Sequence, residues 1–162
     1  MKNLIKQLAS FVLPVTVLVI VPNLIEKRFP LLFDGITALG LLFALAGGSI
    51  LVANIITLIR TGKGTLAPWT PTRRLVIRGM YAHVRNPMIS GVLMTLLGES
   101  LIFHSASIFT WLVVFFSVNH VYFIISEEPG LESRFGDEYR EYKRNVPRWI
   151  PRLTPWTPLL DK

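Results

Sequence analysis

Arg78-Gly-Met-Tyr-Ala-His-Val-Arg-Asn-Pro-Met-Ile-Ser-Gly91 is a basic segment, punctuated by glycine and proline, that runs straight into a long apolar stretch. Gly79, Pro87 and Gly91 interrupt regular structure, while the run beyond Pro87 has the apolarity of a membrane-embedded helix. A second polar cluster, Glu127-Glu128, follows another apolar stretch further along. If the stretches between them form a helical hairpin, both clusters emerge on one side. Arg85, Asn86, Glu127 and Glu128 then surround one shared site.

Composition supports a membrane setting. The 162-residue chain is 51% hydrophobic and only 17% charged, against roughly 25% charged in soluble domains. Its mean hydropathy is +0.49. Cysteine is absent, which excludes disulfides, thiolate metal sites and cysteine nucleophiles. His83, His104 and His120 have no metal-ligand spacing, so no metal is expected. The net charge of +7 is read as cationic loops held at one membrane face, with no nucleic-acid partner expected.

Four apolar runs predict an all-α integral membrane protein in a single domain, with spanning helices over 8–25, 35–59, 88–103 and 107–125. A cleavable leader is rejected for the first run, which ends in Asn23-Leu-Ile-Glu-Lys-Arg28 and has no small-x-small site after it. Pro14 and Pro22 are expected to kink or end it. The second run carries Gly40, Ala44, Gly47, Gly48 and Ala53, small residues that admit a closely packed neighbour. Asn54 is expected to hydrogen-bond between helices. Glu99, late in the third run, is assigned to the far interface near His104. Residues 127–146 carry an amphipathic stripe of Leu131, Phe135, Tyr139, Tyr142 and Val146, and residues 147–162 form a proline-rich tail.

The loop from Arg60 to Arg85 holds Arg60, Lys63, Arg73, Arg74, Arg78 and Arg85 without an acid, so it is expected in the cytoplasm. Both termini follow it there, Lys27 and Arg28 voting weakly against. Trp69 suits an interface. On residue chemistry alone, an arginine suits a carboxylate, and carboxylates suit ribose hydroxyls or an amino group. Equally, Arg85 serves as an interfacial anchor, Asn86-Pro87 as a capped helix start, and Glu127-Glu128 as a solvated helix end.

The pattern G-x-Y-x-x-V-R-N-P-M-x-x-G, from Gly79 to Gly91, resembles a signature of membrane methyltransferases. So does E-E-x-x-L-x-x-x-F-G-x-x-Y-x-x-Y, from Glu127 to Tyr142, with Val146-Pro147-Arg148 after it. The superfamily holds isoprenylcysteine carboxyl methyltransferases and phospholipid N-methyltransferases. The resemblance covers roughly Leu66 to Pro151. It implies S-adenosylmethionine as methyl donor, bound by Leu75, Val76, Tyr81, Arg85, Asn86, Pro87, Met88 and Glu127. It implies Glu128 and Arg134 as catalytic groups near a lipid or lipophilic acceptor. Arg134 is out of helical phase with Glu128 unless the chain breaks near Pro129-Gly130. Met80 and Ile89 depart from the family's usual Pro and Tyr, and Asn86 stands for a His of the carboxyl methyltransferases. Phe123 occupies the position of an arginine thought to meet the prenylcysteine carboxylate, which favours an amine or another lipid-borne nucleophile as acceptor. The competing functions are a membrane scaffold or transporter subunit, and an NADPH-dependent sterol-type reductase, for which the chain is short.

Overall fold

A computed structural model describes residues 12–27, 32–61 and 75–158. Residues 8–11 of the first expected span lie outside the described residues. So do Lys2, Lys6, Arg28, Lys63, Trp69, Arg73, Arg74 and residues 159–162. The described residues are helical, without strands. The helices are α1 (Val12–Ile25), α2 (Gly35–Thr61), α3 (Pro87–Ile102), α4 (Ala106–Phe135) and α5 (Asp137–Asn145). Two of them are long and apolar enough to cross a membrane: α2 over Gly35–Thr57 and α4 over its whole length. Their outer faces are apolar, with Leu42, Leu45 and Val118 more than half exposed, as expected of surfaces that meet lipid and not water. Helices α1 and α3 are shorter apolar helices.

Prolines shape α1 and α4 in the same way. A π-turn, Thr16–Ile20, precedes Pro22 in α1, and the Val21 N–H reaches back to the Thr16 carbonyl. A second, Phe123–Glu127, precedes Pro129 in α4, and the Glu128 N–H reaches the Phe123 carbonyl. Proline has no N–H to offer the carbonyl four residues back, and the wider turn absorbs that missing bond without breaking the helix. Pro22 therefore does not end α1, and α4 runs unbroken through Pro129 and Gly130.

Glycine decides the closest packing. In the antiparallel α2–α3 pair, a Cβ on Gly40 would lie 2.8 Å from the Gly98 carbonyl, and one on Gly98 only 2.5 Å from the Ala44 nitrogen. A Cβ on Gly47 would lie 2.6 Å from the Gly91 carbonyl. Gly40, Ala44 and Gly47 therefore form the seam expected for small residues, with Gly91 and Gly98 as their counterpart. Gly48 is on another face, with open space around it. Asn54 does not bridge helices as expected: its Nδ2 donates to Ile50 O on its own helix at 2.7 Å, and its buried Oδ1 has no partner among the described residues.

A core of Val17, Val92, Leu96 and Ile108 joins α1, α3 and α4, and Trp111 Nε1 donates to Val17 O at 3.1 Å. The short α3–α4 turn closes one end of the bundle. There Ser105 caps α4 by accepting from the Ile108 N–H and hydrogen-bonds Glu26. His104 Nε2 lies 3.4 Å from Asp34 Oδ2. His104 thus pairs with Asp34 and not with Glu99, whose Oε2 is buried without a hydrogen-bond partner among the described residues.

The amphipathic stretch expected over 127–146 is not one helix. Gly136, at φ +56°, ψ −127°, turns the chain between α4 and α5 in a conformation open to glycine and closed to ordinary side chains. Tyr139, Tyr142 and Val146 then bury against Leu75, Ile77, Leu131, Phe135 and Trp156.

Candidate functional site

The end of the bundle away from Ser105 carries a cavity of about 150 Å³. Four pieces of chain build it. The strip between α2 and α3 gives Leu75 and Val76, and the turn ahead of α3 gives Tyr81, Arg85 and Asn86. The polar end of α4 gives Phe123, Glu127, Glu128 and Leu131, and α5 gives Tyr139 and Tyr142.

The turn is set locally. Gly79 has φ +62° and opens a single 3-10 turn, Gly79–Ala82. The carbonyl of Met80 accepts from both His83 and Val84. Asn86 sits at φ −122°, ψ 57°, and Pro87 starts α3, where its missing N–H is of no consequence. The Asn86 side chain makes no capping bond. It lines the cavity instead, while its backbone carbonyl accepts from Ser90 N and Ser90 Oγ. Pro87 is buried and Met88 half-buried, and neither lines the cavity.

On α4 the π-turn puts Phe123, Glu127, Glu128 and Leu131 on the cavity side. Glu128 is surrounded by cations. Arg148 Nε donates to its Oε1 at 2.6 Å, Arg85 Nη1 lies 2.9 Å from the same oxygen, and Lys143 Nζ is 3.4 Å from Oε2. A carboxylate in that company is held ionised and is a poor proton acceptor. Glu127, half-buried beside it, has no ion-pair partner among the described residues. The Arg85 contact is close but poorly aligned, and Arg85 Nε and Nη1 remain buried without a hydrogen-bond acceptor. Unfilled buried donors of this kind are rare and call for an explanation.

Three tyrosines complete the wall. Burial and the Glu127 charge push the Tyr81 phenol up to about 12. Burial and Glu128 push Tyr139 to about 12, against an opposing pull from Arg85. Tyr142 is also raised, by burial first. All three stay protonated at neutral pH. The Tyr142 hydroxyl donates to Tyr81 O at 2.7 Å and ties α5 to the turn.

The tail laces the cavity together. Arg85 N–H donates to Pro147 O at 2.9 Å, Arg152 N–H to His83 O at 3.0 Å, and Trp156 N–H to Ala82 O at 2.9 Å. Trp149 Nε1 donates to His120 Nδ1 at 3.0 Å, and its ring packs on Phe116 and Phe123. His120 is thereby engaged by Trp149.

Of the residues singled out in the sequence, Leu75, Val76, Tyr81, Arg85, Asn86, Glu127 and Glu128 line one cavity. Arg134 does not join them. It is exposed on α4, its guanidinium over the ring of Phe135 at 5.7 Å, because the helix does not break at Pro129-Gly130. Arg148 occupies the place beside Glu128 expected for Arg134. Sequence reasoning placed Leu131, Tyr139 and Tyr142 in an amphipathic stripe and gave Arg148 no role.

Residues 36–138 match the model of the family described as phospholipid methyltransferase. The chain is 38% identical over 83 residues to protein-S-isoprenylcysteine O-methyltransferase of Schizosaccharomyces pombe, covering 49% of this chain and 34% of that protein. It thus spans about a third of that relative's length. It is 38% identical over 63 residues to an uncharacterized protein of Haemophilus influenzae, covering 39% of this chain and 100% of that protein. No solved structure matches. With the family model spanning α2 through the start of α5, the chain belongs to the phospholipid methyltransferase family, within the membrane methyltransferases that include the isoprenylcysteine enzymes.

Proposed function

We propose that the cavity binds S-adenosylmethionine and that the protein methylates a lipid-borne or membrane-partitioned acceptor, a phospholipid amine or similar nucleophile in preference to a prenylcysteine carboxylate. The observation that carries this is the pairing, in one cavity, of a carboxylate without a cation, Glu127, and a guanidinium with unfilled donors, Arg85. An amino-acid tail offers a carboxylate to the guanidinium, and ribose hydroxyls or an ammonium suit Glu127. When bound, the donor supplies an electrophilic methyl on a positively charged sulfur.

The chain's own residues hold and orient. Leu75, Val76, Phe123 and Leu131 exclude water, and Tyr81 and Asn86 offer polar contacts. Pro87 and Met88 support Asn86 from outside the cavity by starting α3. The cavity volume of about 150 Å³ is below the roughly 300 Å³ of a typical small-molecule pocket, so it houses part of a nucleotide-sized ligand. Alignment of the reactive atoms at about 3 Å is the main contribution asked of the protein. Glu128, fixed among cations, orients Arg85. Exposed Arg134 is assigned to an anionic part of the acceptor at the membrane edge. The apolar Phe123 in the cavity wall offers no partner for a carboxylate acceptor, which supports an amine.

The four-span arrangement belongs to the same proposal. α4 has 30 residues, about 45 Å at 1.5 Å per residue, against a hydrocarbon core of about 30 Å. Its end with Glu127 and Glu128 therefore projects past the core on the cavity side. Leu75, Val76 and Arg85, from the end of the basic loop, line the cavity there, which supports a cytoplasmic setting for cavity and termini.

Calorimetric titration of the detergent-solubilised protein with S-adenosylhomocysteine tests the donor site. Binding is expected, with no binding of NADPH. Glu127→Ala is expected to weaken binding about 10- to 100-fold, the loss of one charge-assisted contact. Unchanged affinity in that variant refutes the assignment. Incubation of membranes with labelled methyl donor, followed by identification of the labelled molecule, tests the acceptor.

A further inference from the structure

Glu128 Oε1 has two suitors. Arg148 Nε holds it in an aligned bond at 2.6 Å, while Arg85 Nη1, at 2.9 Å, is misaligned and counts among the unfilled donors. Lys143 lies 3.4 Å from the second oxygen. Left to themselves, an arginine and a carboxylate this close close into a parallel two-pronged pair. Here the Arg85–Glu128 contact is not closed in that way.

Arg148 is fixed on both sides. Pro147 O accepts the N–H of Arg85 itself, and Trp149 is seated on α4 through His120, Phe116 and Phe123. We propose that Arg148 is a positioning residue of the donor site: by occupying Glu128 Oε1 it keeps Arg85 from pairing fully with Glu128, and so keeps the Arg85 N–H groups open to a ligand carboxylate. The proposal rests on the donor reading above and adds a means by which that site stays receptive.

The test compares two ligands that differ in the amino-acid tail. S-adenosylhomocysteine carries the carboxylate, and 5′-methylthioadenosine lacks it. Arg148→Gln is expected to lower affinity for S-adenosylhomocysteine about tenfold or more and to change affinity for 5′-methylthioadenosine less than about twofold, within the additivity error for uncoupled sites. Arg148→Lys, which restores a cation, is expected to recover most of the loss. Arg85→Gln is expected to mimic Arg148→Gln, and the double variant to add little, because both act on one contact. Equal loss for both ligands in Arg148→Gln marks a merely structural role and overturns the proposal, as does unchanged affinity for S-adenosylhomocysteine. If the unaltered protein binds neither ligand, the donor reading fails first and this proposal falls with it.

Discussion

Gly47→Ala and Gly48→Ala, one residue apart, are expected to change stability in opposite directions. At Gly47 a new Cβ would stand 2.5 Å from Thr95 Oγ1, 2.6 Å from Gly91 O and 2.6 Å from Thr95 N. Two of those three atoms are backbone, so no rotamer change clears the space. Restoring an ordinary contact near 3.5 Å requires α2 and α3 to part by almost an ångström along the whole seam. Overpacking of this kind destabilises by about 1–3 kcal/mol. At Gly48 nothing lies within 4 Å, and alanine instead gains the helix preference of about 1 kcal/mol over glycine. Unfolding titrations in mixed detergent micelles read the difference, about 2–4 kcal/mol between the two variants. Adding Thr95→Ala to Gly47→Ala should rescue little, since the backbone contacts remain. Equal stabilities for the two single variants, or full rescue by Thr95→Ala, would show that the helices do not meet as described.

Tyr142→Phe removes the hydroxyl that donates to Tyr81 O; stability is expected to fall by about 1 kcal/mol and S-adenosylhomocysteine affinity with it, both read by calorimetry. Asp34 is held below the usual carboxylate range chiefly by the Thr37 backbone N–H, with smaller help from His104. A depressed folded-state value means its stabilisation is present above about pH 4 and lost as pH falls. Asp34→Asn keeps the turn but should flatten the acid limb of the stability profile, and an unaltered limb would assign that limb to other carboxylates.

The apolar runs announced the helices because burial in lipid demands continuous apolar sequence, and Gly40, Ala44 and Gly47 announced a seam because nothing else explains small residues there. The phase of Gly48 was harder to see, since only the partner helix decides which small residues face it. Arg85 and Glu127 were legible as a pair from the apolar runs that separate them. Arg148 was not, because its approach to Glu128 depends on the positive φ at Gly136 and on tail contacts made by backbone atoms, which leave no side-chain signature. The failure of Arg134 to reach Glu128 has a related origin: Pro129 suggested a break, and a π-turn absorbed it instead.

That extra residue in the turn before Pro129 acts as a rotational adapter. One residue of helix corresponds to about 100°, so the apolar length of α4 and its acidic end are indexed independently of one another. The lipid-facing side of the helix can drift in sequence while the acids keep their bearing. Removing a single residue between Phe123 and Glu127 would take up that slack and leave Pro129 facing a carbonyl to which it has no N–H to offer.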